Sequence, residues 1–436
     1  MVTAYALAFG SLLLIGGRIA DLFGRKNVFL VGLVGFAIAS AIGGAAANFG
    51  MLVTARAVQG AFGALLAPAG LSLLATTFTD AKERAKAFGI YGGIAGAGAS
   101  IGLLLGGVLT EYASWRWTMY VNLFFAAVAL VGGVVFLARH ASTHRPRLDV
   151  PGTVLVSAGL FSLVYGFSRA ESDGWSDGLT VGFLVAAAVL LVAFVALETR
   201  AAHPLLPLRV VLDRSRGGAY LAMFISAAGM FAVFLFLTYY LEASLGYSAV
   251  KAGIAFLPMT GALVVTAGLS STVLVPRYSP KLLVPGGMFL AAIGMVVLTR
   301  ITLESAYTST VLPSTLLVGV GLGLVFSAAF VMGTLGVTED DAGVASAMVN
   351  TTQQVGGSIG AALLNTIAAT AGASYVADHL AGAGDQRVLA AQAAVHSYVT
   401  AFWWAAAVFA AGGVLSALVL RSEVPSLEGA PAGVAL

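Results

Sequence analysis

The chain has 436 residues, 59% hydrophobic and 9% charged, with no cysteine, a net charge of +3 and a mean hydropathy of +0.96. A soluble globule carries about 25% charged residues, so that class is excluded. The missing cysteines exclude disulfides, thiolate metal sites and cysteine catalysis, and so small a net charge gives no ground for a nucleic-acid partner. What remains is an all-α polytopic protein of the cell membrane, with the lipid bilayer as its surroundings. About thirteen apolar segments recur, roughly at 2–16, 28–47, 51–75, 87–109, 118–138, 150–169, 179–197, 218–241, 252–275, 281–299, 309–333, 344–370 and 398–420. Runs of about 20 residues cross the hydrocarbon as helices, because lipid offers the backbone no hydrogen bonds.

The first segment runs into GGRIADLFGRKN at 16–27, where three cations and an aspartate stand between apolar stretches. A positively charged hairpin accounts for Arg25 and Lys26, but not for Gly17, Asp21 and Gly24 at fixed offsets. In the third segment Arg56, Gln59, Gly60 and Gly63 fall on one helical face. An arginine within a span faces a cavity or a partner, or snorkels to the interface; being permanently protonated, it does not itself carry a proton. The fourth segment holds Gly89, Gly92, Gly93, Gly96, Gly98, Gly102, Gly106 and Gly107, the four-residue spacing of close helix approach. Sixteen of the 22 Lys and Arg, including Arg18, Arg25, Lys26, Arg200, Arg209, Arg214 and Arg216, fall in alternate connections, which positive-inside places in the cytoplasm. Glu242, beside Tyr239 and Tyr240 at an outer helix end, is the best visible titrating acid. In 344–370, Ser346, Asn350, Gln354, Ser358 and Asn365 form a polar stripe with Gln353 beside it, facing protein or a wet cavity. All 19 carboxylates lie in loops or at span ends, which leaves Arg56 an intramembrane cation without a counter-charge. No histidine has a ligand partner at i+4, so no metal is expected, and no phosphate-binding loop is present. No catalytic residue and no cofactor are expected.

Those residues carry a family resemblance. Gly17, Asp21, Gly24, Arg25 and Lys26 resemble the G-x-x-x-D-x-x-G-R-K signature of the major facilitator superfamily, in which the glycine lets two bundles approach and the aspartate latches the cytoplasmic side. Arg56, Gln59 and Gly60 resemble its R-x-x-Q-G motif, tied to proton coupling. GASIGLLLGG at 98–107 resembles the antiporter motif G-x-x-x-G-P-x-x-G-G, with Leu103 in place of the proline. N-x-x-Q-Q-x-G-G-S-x-G from Asn350 and HPLLPLRV at 203–210 resemble fourteen-span drug:proton antiporters of the EmrB/QacA type.

The resemblance implies an N-terminal bundle over 1–138, an inserted helix pair over 150–197, a cytoplasmic linker over 198–217, a C-terminal bundle over 218–420 and a tail over 421–436. It implies that the chain starts one helix late, the absent helix carrying an acid for Arg56. It further implies a secondary transporter, working as a monomer by alternating access, that exchanges protons for amphipathic small molecules. Gly98, Gly102, Gly106 and Gly107 would be its antiporter glycines, and Asn350, Gln353, Gln354 and Glu242 would approach the cavity. The alternatives are an exporter dedicated to one metabolite or antibiotic, and a truncated, inactive transporter.

Overall fold

The computed structural model describes residues 2–78, 80–137, 149–201, 204–338, 341–380 and 385–421. The expected tail beyond 421 and the loop at 138–148 lie outside these residues. The helices are α1 (Val2–Phe23), α2 (Arg25–Gly44), α3 (Phe49–Thr77), α4 (Ala81–Tyr112), α5 (Trp117–Phe136), α6 (Val150–Asp173), α7 (Gly178–Glu198), α8 (Leu208–Leu212), α9 (Arg214–Tyr239), α10 (Ala249–Leu269), α11 (Pro280–Leu298), α12 (Leu312–Thr334), α13 (Ala342–His379) and α14 (Gln386–Val419). Short π-helical turns continue α9 and α10 and open α12. Side-chain oxygens of Asn48, Asp149, Asp177, Ser248, Ser279 and Asp385 cap the helices that follow them, meeting N–H groups that have no partner within the helix.

Among the described residues twelve helices are long and apolar enough to cross a membrane. The remaining expected segment, 87–109, lies on α4, whose stretch Ile101–Tyr112 stands as a shorter apolar helix. Three boundaries depart from the sequence reading. α1 continues seven residues past 16, through the charged motif, because nothing before Gly24 breaks a helix. The linker contains a helix, α8, started after Pro207. α13 and α14 outrun their apolar cores: at 1.5 Å per residue the 38 residues of α13 reach about 57 Å, against about 30 Å of hydrocarbon. Alanine-rich polar sequence such as ATAGASYVADH keeps good helix propensity where hydropathy fades.

Backbone contacts gather the chain into two compact units. The first holds α1–α3, the end of α4 from Leu109, α5–α8, α9 as far as Tyr220, and Gly333–Ser358. In it α3 packs on α1 and α2, α5 on α2, and the α6–α7 hairpin on α1. One cluster of its core joins Leu14 of α1, Val156 and Leu160 of α6, Phe194 of α7, Leu205 and Leu206 of the linker, and Val344 and Ala347 of α13. The second unit holds Asp80–Val108, Leu221–Met332 and the chain from Ile359. There α11 packs on α14. α4 and α10 meet where Gly253 lies against the Leu104 backbone and Gly107 against Ala249. α5 keeps Phe124, Phe125, Val128, Val131, Val134, Val135 and Phe136 exposed, as a lipid-facing helix does.

Candidate functional site

The charged motif residues of the first unit sit at two places. At the end bearing the basic connections, Gly17 and Asp21 lie on the last two turns of α1. Gly24 alone makes the turn (φ 87°), and Arg25 and Lys26 open α2. The motif is therefore two helix ends joined at one residue. Gly17 is where α1 meets the start of α13: a β-carbon there would stand 2.5 Å from the Gly343 carbonyl oxygen and 2.8 Å from the Ala347 β-carbon. A β-carbon on Gly343 would meet the Gly17 carbonyl oxygen and both Asp21 carboxylate oxygens. Only glycine permits either approach.

Asp21 is 7% exposed. Its Oδ1 accepts from Arg25 Nη2 at 3.2 Å, and Arg18, 5% exposed, lies near enough to act on its charge. Oδ2 has no hydrogen-bond partner among the described residues, nor has Arg18 Nε. The carboxylate thus rests on the first turn of α13, where backbone N–H groups lack partners within the helix and the dipole favours an anion. Lys26 serves another helix: its Nζ donates to the carbonyl oxygens of Val134 at 3.1 Å and Leu137 at 2.5 Å, a cation on the C-terminus of α5.

The second place is on α3. Arg56 donates from Nη1 to Gln59 Oε1 at 2.5 Å, and Gln59, 1% exposed, donates from Nε2 to Ser40 Oγ at 2.6 Å. The Arg56 guanidinium lies 4.6 Å over the Tyr5 ring, which stacks on Phe9 at 5.5 Å. Gly60 and Gly63 admit that pair, since β-carbons there would meet the Tyr5 carbonyl and hydroxyl oxygens and the Phe9 ring. No carboxylate is among these partners. The Arg56 charge is met by an amide dipole and an aromatic face, which suffice for a weakly hydrated guanidinium.

The remaining expected residues are dispersed. Gly98, Gly102 and Gly106 have open space where a β-carbon would stand, while Gly107 is buried against Ala249. Asn350 Nδ2 donates to the Ser346 carbonyl oxygen, and Ser358 Oγ to that of Gln354, so some of the stripe is satisfied by its own helix. Gln354 also lies against α1, where a β-carbon on Gly10 would stand 3.1 Å from its Cγ; Gln353 stands on the same helix, α13. Glu242 is exposed on the π-helical turn after α9 and belongs to the second unit. Among the described residues no group of three or more His, Cys, Asp or Glu could hold a metal ion.

Sequence reasoning misses Tyr5, Ser40 and Gly343, whose partners lie 51, 19 and 322 residues away. The only local signal is a tyrosine and a serine inside apolar spans.

The family model of the Major Facilitator Superfamily matches residues 1–361. The chain belongs to the major facilitator superfamily. It is therefore a multi-pass membrane transporter of small molecules. It is 46% identical to the puromycin resistance protein of Streptomyces alboniger, over 98% of this chain and 84% of that one. It is 39% identical to the cephamycin export protein of Amycolatopsis lactamdurans, over 84% and 76%, and 34% identical to the tetracenomycin C resistance and export protein of Streptomyces glaucescens, over 89% and 72%. In this superfamily member the Asp21 and Arg56 clusters stand at different depths of one unit and differ in chemistry.

Proposed function

We propose that the chain exports antibiotics or related amphipathic molecules in exchange for protons, as a fourteen-span drug:proton antiporter acting as a monomer. The observation that carries this reading is that relatives similar along most of the chain are named for antibiotic resistance or export. The positive connections orient the Asp21 end to the cytoplasm. There Gly17, Asp21, Gly24, Arg25 and Lys26, with Gly343, form a latch that closes when α13 sits on the Asp21 carboxylate. Arg56, Gln59 and Gly60 support proton coupling. Gly98, Gly102, Gly106 and Gly107 shape the antiporter face of α4, and Asn350, Gln353, Gln354 and Glu242 contribute to the substrate route.

One observation favours the narrower reading of an exporter for one compound class: the puromycin and cephamycin relatives are each named for a single antibiotic. Inverted membrane vesicles acidified inside test both. Substrate uptake that collapses when nigericin dissipates the pH gradient supports antiport, and uptake indifferent to nigericin refutes it. Transport of several unrelated drugs marks a multidrug exporter; transport of one class marks a dedicated one.

A further inference from the structure

The segment between α7 and α9 has the sequence of a plain basic connection, yet the structure ties it down at both ends. Glu198, the last residue of α7, is 5% exposed, and its carboxylate accepts from the Leu205 N–H at 3.3 Å and the Leu206 N–H at 3.0 Å. The Asp149 carboxyl stands beside it, so the two backbone N–H groups hold a carboxyl that faces both a second carboxyl and the helix C-terminus. These bonds also turn Leu205 (1% exposed) and Leu206 (7%) into the core cluster with Leu14 of α1 and with Val344 and Ala347 of α13. Leu14 lies three residues before Gly17, and Val344 follows Gly343. The two leucines thus touch both helices that meet at the Asp21 carboxylate.

Two arginines bind the other end of the segment to the approach to α13. Arg209 of α8 pairs with the Asp341 carboxylate, which also accepts from Thr338 Oγ1 at 3.1 Å. Arg216 of α9 donates to the carbonyl oxygens of Arg209 at 3.2 Å and Val210 at 3.0 Å on one side, and of Leu335 at 3.2 Å and Gly336 at 3.4 Å on the other. Asp341 stands two residues before Gly343.

We propose that this segment is a strap that sets the N-terminus of α13 against Asp21, with Glu198, Arg209 and Arg216 as positioning residues for closure of the cytoplasmic side. The proposal rests on the reading of Asp21 and Gly343 as a latch. The strap's residues touch no substrate; they fix where the α13 terminus stands when α1 meets it.

The chain has no cysteine, so Val344→Cys, at a site 1% exposed, gives a single reporter of opening in the full-length protein in proteoliposomes. Arg209→Ala is expected to raise labelling of that cysteine by a membrane-permeant maleimide two- to fivefold, the range of a partly exposed ion pair. It should lower the maximal export rate with KM unchanged. Arg209→Lys should restore most of both. In a double-mutant cycle, Arg209→Ala should add nothing to Asp341→Asn. Unchanged labelling in Arg209→Ala, or additive effects in the cycle, would overturn the strap. Asp21→Asn separates the two ideas. If it too leaves labelling unchanged, the latch reading fails. If it raises labelling while Arg209→Ala does not, the strap alone fails.

Discussion

Asp21 and Arg56 are both charged groups held inside the first unit, and each is accommodated by different chemistry. Asp21 is set between two arginines and the start of a helix. Arg56 has an amide oxygen and a tyrosine face. An anion needs donors, and a bundle of apolar helices supplies them at helix N-termini or from arginine. A guanidinium is planar and weakly hydrated, so neutral polar and aromatic groups can hold it. The first solution depends on a more distant helix, α13. The second is built from α1, α2 and α3 alone and keeps its geometry while that packing lasts.

If the contrast is right, Asp21→Asn has the largest effect. It leaves Arg18 and Arg25 without their anion, and removing one partner of a buried pair costs about 3 kcal/mol or more, a hundredfold in an equilibrium constant. Export should fall to background and the melting temperature should drop, while the protein still inserts. Gly343→Val should give the same loss by a separate cause, because its side chain would overlap the Asp21 carboxylate and the Gly17 carbonyl. Wild-type export by Asp21→Asn would show that neither the arginines nor α13 needs the charge, and the contrast would fail.

Arg56→Lys comes next. Lysine keeps the charge but cannot reach Gln59 Oε1 while presenting a flat face to Tyr5, and a loss of about 1–2 kcal/mol makes export roughly tenfold slower. Arg25→Lys should cost at most about threefold, because one ammonium can reach Asp21 Oδ1. Equal losses in the two variants, read as initial export rates at matched expression, would erase the distinction between the sites.

Tyr5 sharpens it further. Tyr5→Phe keeps the ring under the guanidinium and should retain most activity, whereas Tyr5→Leu should lose about 1 kcal/mol, near fivefold in rate. If Tyr5→Phe fails as badly as Tyr5→Leu, the hydroxyl rather than the ring supports Arg56.

Hydropathy makes the helices legible, and charge alternation their order, because both are properties of each segment by itself. Gly17, Asp21, Arg56 and Gln59 are legible as anomalies: a small residue or a charge where lipid-facing sequence would have neither. Their partners are not. Gly343 ends the acidic stretch TEDDAG at 338–343, and nothing in that stretch says that its glycine receives Asp21. Tyr5 looks like one more aromatic in an apolar run, so Arg56 seeks an absent carboxylate instead. Leu205 and Leu206 read as linker because a short apolar pair between prolines has no periodicity to betray burial. Each failure concerns a contact between segments far apart in the chain.

The smallest expected effect comes from another carboxylate–arginine contact, and it serves as the control for Asp21. Asp177 caps α7 in the hairpin between α6 and α7, outside the spans. It accepts from the Thr180 N–H at 3.0 Å and from Arg169 Nη2 at 3.2 Å, and its side chain is 30% exposed. The Thr180 N–H first, and then Arg169, hold its carboxyl below the ordinary aspartate value of 3.8. A carboxyl lowered on folding adds stability that is present above the unfolded value and is lost as pH falls through the folded one. The melting temperature should therefore slip below about pH 4, and Asp177→Asn should remove some of that acid-side slope, because its amide oxygen caps Thr180 without titrating. At neutral pH Asp177→Asn should leave export unchanged within twofold, the range of an exposed pair. The same residue types would then be costly to change at Asp21 and cheap at Asp177, which locates the effect in burial against α13 rather than in ion pairing as such. A large export defect in Asp177→Asn at neutral pH would show instead that the hairpin is engaged in the transport cycle.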